Sequence, residues 1–125
     1  IIMNFKKNIY FIIPIILVTL IILGIILYNK SIPNFAGITF TRQVHEDSEN
    51  IYFGKNKHFS YYGSDGSPID YYDLCETYTY KDNYIILSCD KYIPENTITK
   101  IEVISYKNDT LKLKFNDEIK TFKVK

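Results

Sequence analysis

The chain has 125 residues and a formal net charge of +1. Setting aside one long apolar stretch leaves about ninety residues for a single water-soluble domain, too small a core to house an elaborate catalytic cleft. Acidic and basic residues are intermixed rather than blocked, so no basic stripe marks a nucleic-acid footprint.

Residues 9–28 carry no charge and are dominated by Ile, Leu and Val. At ~1.5 Å per residue this run covers about 30 Å, the thickness of a bilayer's hydrocarbon core. Backbone groups in lipid must bond within their own segment, so the run is expected to be a helix. Pro14 falls near its start and Gly24 near its finish, and Tyr10 and Tyr28 lie close to the two interfaces. The run is longer than the apolar part of a cleaved signal peptide, and Tyr28-Asn29-Lys30-Ser31-Ile32-Pro33 lacks a small-residue cleavage pattern. Lys6 and Lys7 precede it without an acidic neighbour, which favours an N-terminus in the cytoplasm and a C-terminus outside. Met3-Asn4-Phe5-Lys6-Lys7 reads as a start, with Ile1 and Ile2 as an upstream extension. The expected layout is a cytoplasmic N-terminus (1–8), a single-pass transmembrane anchor (9–28), a linker (29–34) and an extracytoplasmic β domain (35–125) in a bacterial cell envelope.

From Phe35 the pattern becomes period-two alternation punctuated by Gly, Asn and Asp, which predicts short strands. Ala36, Ile38 and Phe40 share a face of the first. Ile51 and Phe53 lead into a turn at 54–57, and Phe59 and Tyr61 resume the alternation. A longer loop spans 63–69. Strands at 74–80 and 84–89 flank Lys81-Asp82-Asn83, and Pro94 marks another loop. Ile101 and Val103, then Leu111, Leu113 and Phe115, then Phe122 and Val124 close the series. Seven or eight sequential hairpin-linked strands imply an all-β antiparallel meander, curled into a barrel or half-barrel, with a sandwich as the alternative.

This succession of turn-linked strands, opened by Phe35-Ala36-Gly37-Ile38-Thr39-Phe40, resembles the small lipocalin-like β-barrels of the bacterial envelope. The resemblance covers residues 35–125. It implies a carrier or binding module with an apolar interior mouth, and it assigns no functional residue.

Cys75 and Cys89 are the two cysteines. If Lys81-Asp82-Asn83 is a three-residue loop, Tyr80 faces Tyr84 and the cysteines lie directly opposite each other, which suits a disulfide. A two- or four-residue loop would place them on opposite faces. Reduced buried thiols remain the alternative. A redox pair lacks the C-x-x-C spacing that lowers a thiol pKa.

Other chemistry is thinly represented. His45 and His58 stand apart, with no zinc-ligand spacing. Ser60, Ser64, Ser67 and Ser105 occupy no nucleophile elbow. Asp65, Asp70 and Asp73 sit in a loop that lacks the calcium-hand pattern. No catalytic residue, metal ligand or cofactor site is therefore assigned. Twelve tyrosines are the distinctive feature, although an A+T-rich genome accounts for many of them. Tyrosine combines large contact area with a polar tip, so Tyr61, Tyr62, Tyr71 and Tyr72 are the candidate exposed binding surface, beside the 63–70 loop. The expectation is a non-enzymatic binding module of the cell envelope whose partner is a glycan, a peptide or a membrane protein. The alternative is an accessory or structural subunit of an envelope membrane-protein complex.

Overall fold

The computed structural model describes residues 2–125, with side chains for 8–27 and 31–125. Ile1 and the side chains of Lys6, Lys7, Tyr28 and Lys30, on which the expected orientation rests, lie outside the described residues. The chain divides into two compact units, Ile1–Ser31 and Ile32–Lys125.

The first unit is one helix, α1 (Ile2–Lys30), which runs unbroken through Pro14. Within it Asn8–Leu27 is long and apolar enough to cross a membrane. The described side chains of that stretch are exposed on every side. A helix apolar around its whole circumference has no polar face to turn to water. Thr19, its hydroxyl donated to the Ile15 carbonyl at 2.8 Å, satisfies its one polar side-chain group within the helix.

The second unit is an eight-stranded, all-antiparallel sheet: β1 (Thr39–Val44), β2 (Asp47–Phe53), β3 (Phe59–Gly63), β4 (Cys75–Lys81), β5 (Tyr84–Cys89), β6 (Lys100–Lys107), β7 (Thr110–Phe115) and β8 (Glu118–Val124). Neighbours in the sheet run β3-β2-β1-β8-β7-β6-β5-β4. Every consecutive pair except β3 and β4 is hydrogen-bonded, and β1 pairs with β8 through Phe40–Val124 and Thr41–Lys123. This is an up-and-down barrel that closes where the first and last strands meet and stays open between the third and fourth.

Alternation along each strand delivers the core. Phe40, Ile51, Phe53, Phe59, Tyr61, Tyr78, Ile85, Leu87, Ile101, Leu111, Leu113, Phe115 and Phe122 all point inward and are buried. The barrel has two distinct ends. The chain joins it at the near end, where the β2–β3, β4–β5 and β6–β7 turns also lie. Two of these are tight turns with left-handed residues, Asp82-Asn83 and Asn108-Asp109, residue types that tolerate positive φ in two-residue hairpins. The far end carries the β1–β2 and β7–β8 turns and both long connections, 64–74 and 90–99.

Two strand expectations need correction. Residues 34–37 form a turn and Ile38 precedes the first strand, so the alternation through Ala36 and Ile38 is not strand pairing. The Ala36 N–H bonds the Pro33 carbonyl, and the Gly37 N–H, at a positive φ, bonds the Phe53 carbonyl at 2.7 Å. The turn drives Phe35 into the near end, edge-on to Phe53, Tyr106 and Phe40 at 5.5, 5.7 and 6.2 Å between ring centres. Pro33, expected in the linker, is buried with it. The barrel interior at this end is thus filled by the protein's own rings.

The second correction concerns the cysteine hairpin. The β4–β5 loop has two residues, pairing Lys81 with Tyr84, Tyr80 with Ile85 and Tyr78 with Leu87. That register alone would put the cysteines on opposite faces. A β-bulge between Cys75 and Thr77 adds one residue to β4 and restores the Cys75–Cys89 pairing. The two sulfurs lie 2.03 Å apart, a disulfide joining the strand ends from which both long far-end loops depart.

Candidate functional site at the open seam

The unpaired edges of β3 and β4 are guarded at both ends. Toward the near end, the Tyr78 N–H bonds the Lys57 carbonyl at 3.0 Å and His58 bridges Thr77. Toward the far end, the 64–69 loop folds back on β3: the Gly63 N–H bonds the Ser67 carbonyl at 2.8 Å and the Ile69 N–H bonds the Tyr61 carbonyl at 3.1 Å. Asp65 accepts the Ser67 N–H and fixes this loop. Covering an edge in this way blocks strand-to-strand association with other chains.

Between the two guards lies a groove of about 310 Å³. Its floor is made of the buried Phe59, Tyr61, Tyr72 and Cys75, and its walls of His58, Ser60, Tyr62, Pro68, Asp73 and Glu76. His58 Nε2 and Ser60 Oγ are 3.1 Å apart, held two residues apart on one outward face of the strand. The pair offers a donor and an acceptor, Tyr62 adds an aromatic surface, and Asp73 and Glu76 make the rim acidic. Among the described residues no three His, Cys, Asp or Glu side chains gather to hold a metal ion.

The four tyrosines expected to form one exposed surface separate into two pairs. Tyr61 and Tyr72 are 3% and 6% exposed and belong to the core, their rings 5.2 Å apart, which corrects the expectation for both. Tyr72 gives its hydroxyl to the Ile98 carbonyl at 3.0 Å. Burial, reinforced by Asp70 and Glu49, pushes its pKa up to about 12. Tyr62 is half-buried on the groove wall, and Tyr71 is 55% exposed beside a second hollow formed with Asn96 and Thr97. Alternation explains Tyr61 and Tyr62, since adjacent strand residues face opposite sides.

Next to the groove, the far mouth of the barrel holds a charged network. Arg42 Nε donates to Glu49 Oε2 at 2.8 Å, the Tyr61 hydroxyl donates to the same oxygen at 2.5 Å, and Lys120 Nζ lies 3.1 Å from the Tyr61 oxygen and 3.7 Å from Glu49. Burial opposes ionisation of Glu49, but the hydrogen bonds from Arg42 and Tyr61 and the Lys120 charge prevail and hold its pKa below the usual carboxylate range. The Arg42 pKa is raised by its bond to Glu49. Beyond Thr41–Lys123 the β1–β8 ladder ends, and this network, drawn from β1, β2, β3 and β8, links the strands across the gap. The sequence carried a readable signal for it. Arg42 stands two residues after Phe40, Glu49 two before Ile51 and Lys120 two before Phe122, each on the inward face of its strand.

No protein-family model matches the chain, and neither the curated proteins nor the solved structures contain a significant match.

Proposed function

We propose that the chain is a membrane-anchored, non-enzymatic binding module whose recognition site is the seam groove, occupied by a short polar segment of a partner protein carrying a basic side chain. The observation that carries this reading is the groove itself. The barrel leaves β3 and β4 unpaired, guards the strand edges on either side, and lines what remains with a half-buried tyrosine, a His–Ser pair and two carboxylates. Aromatic area beside acidic groups suits a cationic side chain and its neighbouring peptide. A filled interior argues against a carrier that swallows an apolar ligand. The Asn8–Leu27 helix supports a single-pass anchor. The disulfide supports an oxidising, extracytoplasmic setting for the domain.

The test is site-specific photo-crosslinking of the full chain in cells. A photoreactive residue at Tyr62 is expected to capture a defined partner, and the adduct should disappear with Asp73→Asn and Glu76→Gln together. The same probe at Lys112, on the outer face of β7, should capture nothing. Adducts obtained only from helix positions such as Ile15 or Ile22 would overturn the groove assignment in favour of a subunit held through its helix.

A further inference from the structure

The two long far-end connections, 64–74 and 90–99, enclose between them a hollow of about 250 Å³, lined by Asp70, Tyr71, Tyr72, Asn96, Thr97 and Ile98. The loops are joined at their bases by the Cys75–Cys89 bridge and across the hollow by the Tyr72 hydroxyl, which donates to the Ile98 carbonyl at 3.0 Å. The backbone of the walls is fixed as well. The Tyr72 N–H bonds the Ile69 carbonyl at 3.1 Å, the Leu74 N–H bonds the Tyr71 carbonyl at 3.0 Å, and the Thr97 N–H bonds the Pro94 carbonyl at 3.0 Å. A ligand entering here meets a wall already in place and has little loop to order.

Elsewhere in these loops aspartates serve the fold. Asp65 accepts the Ser67 N–H, and Asp90 accepts the Tyr92 N–H. The polar side chains of the hollow do not. Among the described residues Asp70, Asn96 and Thr97 have no side-chain hydrogen bond or ion pair. Asp70 holds a positive φ of 48° without its carboxylate bonding back to its own turn, as turn aspartates commonly do. Tyr71, exposed, stands next to it.

A carboxylate, a carboxamide and a hydroxyl lining one small space beside an aromatic ring form the chemical set that recognises a sugar. A carboxylate accepts from two neighbouring hydroxyls, an amide both donates and accepts, and a ring covers the C–H face. The hollow falls just below the roughly 300–1,000 Å³ of drug-sized ligand sites, so it suits one ring rather than a chain. Its one carboxylate falls well short of the oxygen ligands that a calcium ion gathers, and it disfavours an acidic sugar. We infer that this hollow binds one neutral pyranose unit of a glycan. Asp70 accepts from its vicinal hydroxyls, Asn96 and Thr97 bond a further hydroxyl, and Tyr71 packs on the C–H face. The site lies wholly within the barrel unit and does not depend on what occupies the seam groove.

The experiment uses the full chain in phosphatidylcholine nanodiscs free of glycoside detergent. It is offered the methyl pyranosides of glucose, galactose, mannose and N-acetylglucosamine, and galacturonate as the acidic control, and saturation transfer from protein to sugar is read by NMR. Transfer is expected to at least one neutral glycoside and not to galacturonate. Asp70→Asn keeps a residue that tolerates positive φ and should weaken the affinity by about fivefold or more. Tyr71→Ala should weaken it by about tenfold, while Tyr71→Phe, which keeps the ring, should retain it. Should Tyr71→Ala fail to fold, Asp70→Asn carries the test. Absence of transfer to every neutral glycoside would overturn the inference, and so would equal transfer to galacturonate. Binding that survives Asp70→Asn but is lost with Tyr62→Ala would also overturn it, by moving the sugar to the seam groove.

Discussion

The two ends of the barrel are closed by different physics. At the near end a turn tucks Phe35 among Phe53, Tyr106 and Phe40, and tight hairpins leave little chain to order. At the far end long loops need tying down, and the work falls to the Cys75–Cys89 bridge and to the Arg42–Glu49–Tyr61–Lys120 network. A small barrel can therefore seal one mouth by burial and the other by charge. The two seals should respond to different perturbations: the aromatic one to lost volume, the ionic one to pH.

The comparison breaks most visibly at Phe35. Phe35→Ala empties the near end and is expected to destabilise the domain by about 3–5 kcal/mol, read as a lower urea midpoint. The loss should be the same at acidic and neutral pH. Replacing both cysteines by serine releases a loop of 14 residues' separation at the far end. That change is expected to reduce stability by about 3 kcal/mol and to lower the melting temperature by roughly 10 °C or more. A reduced domain that melts where the oxidised one does would remove the bridge from the account of the far end.

Finer tests separate the members of the ionic seal. The folded pKa of Glu49 is depressed, so its stabilising contribution is present above the unfolded carboxylate value, near 4.3, and is lost as pH falls through the lower folded value. The stability difference between the protein and Glu49→Gln should accordingly be about 1–3 kcal/mol at neutral pH and shrink in acid. If the gap stayed constant down to the acid transition, the Glu49 charge would not be what holds the far mouth. Tyr61→Phe keeps the ring and deletes the hydroxyl that serves both Glu49 and Lys120. It should reduce stability by about 1 kcal/mol, the smallest effect of the set, again measured by urea unfolding.

Much of this architecture was legible beforehand because alternation is a strong signal when one face of a strand is buried. The inward series Leu111, Leu113 and Phe115 and the turn at Asn116 are where the pattern puts them. Register was less legible. Counting from a three-residue loop puts Cys75 opposite Cys89, as the structure has it, but the intervening pairs differ because a two-residue turn and a bulge at Glu76 offset one another, and nothing in the residue types at 75–77 announces a bulge. Tyr61 and Tyr62 differ in exposure because a strand sends consecutive side chains to opposite faces, whereas Tyr71 and Tyr72 differ because only Tyr72, the first residue of a short 3-10 turn, faces the core. The groove could not be read at all. It exists because β3 and β4 fail to pair, a property of closure geometry rather than of any local run of sequence.

The seam gives the sheet an unusual relation between its covalent and its spatial ends. In space the ribbon begins at β4 and finishes at β3, while its first and last strands in sequence, β1 and β8, meet side by side within it. The Lys125 N–H bonds the Thr39 carbonyl at 3.0 Å, next to the two β1–β8 residue pairs. Because these antiparallel strands start and finish at the same end, tension between the N-terminal helix and the C-terminus would peel them apart one bond at a time rather than shear them together. The barrel's mechanical weak line therefore runs between β1 and β8. A load applied between β1 and β3 bypasses it, passing through β2, which pairs with both.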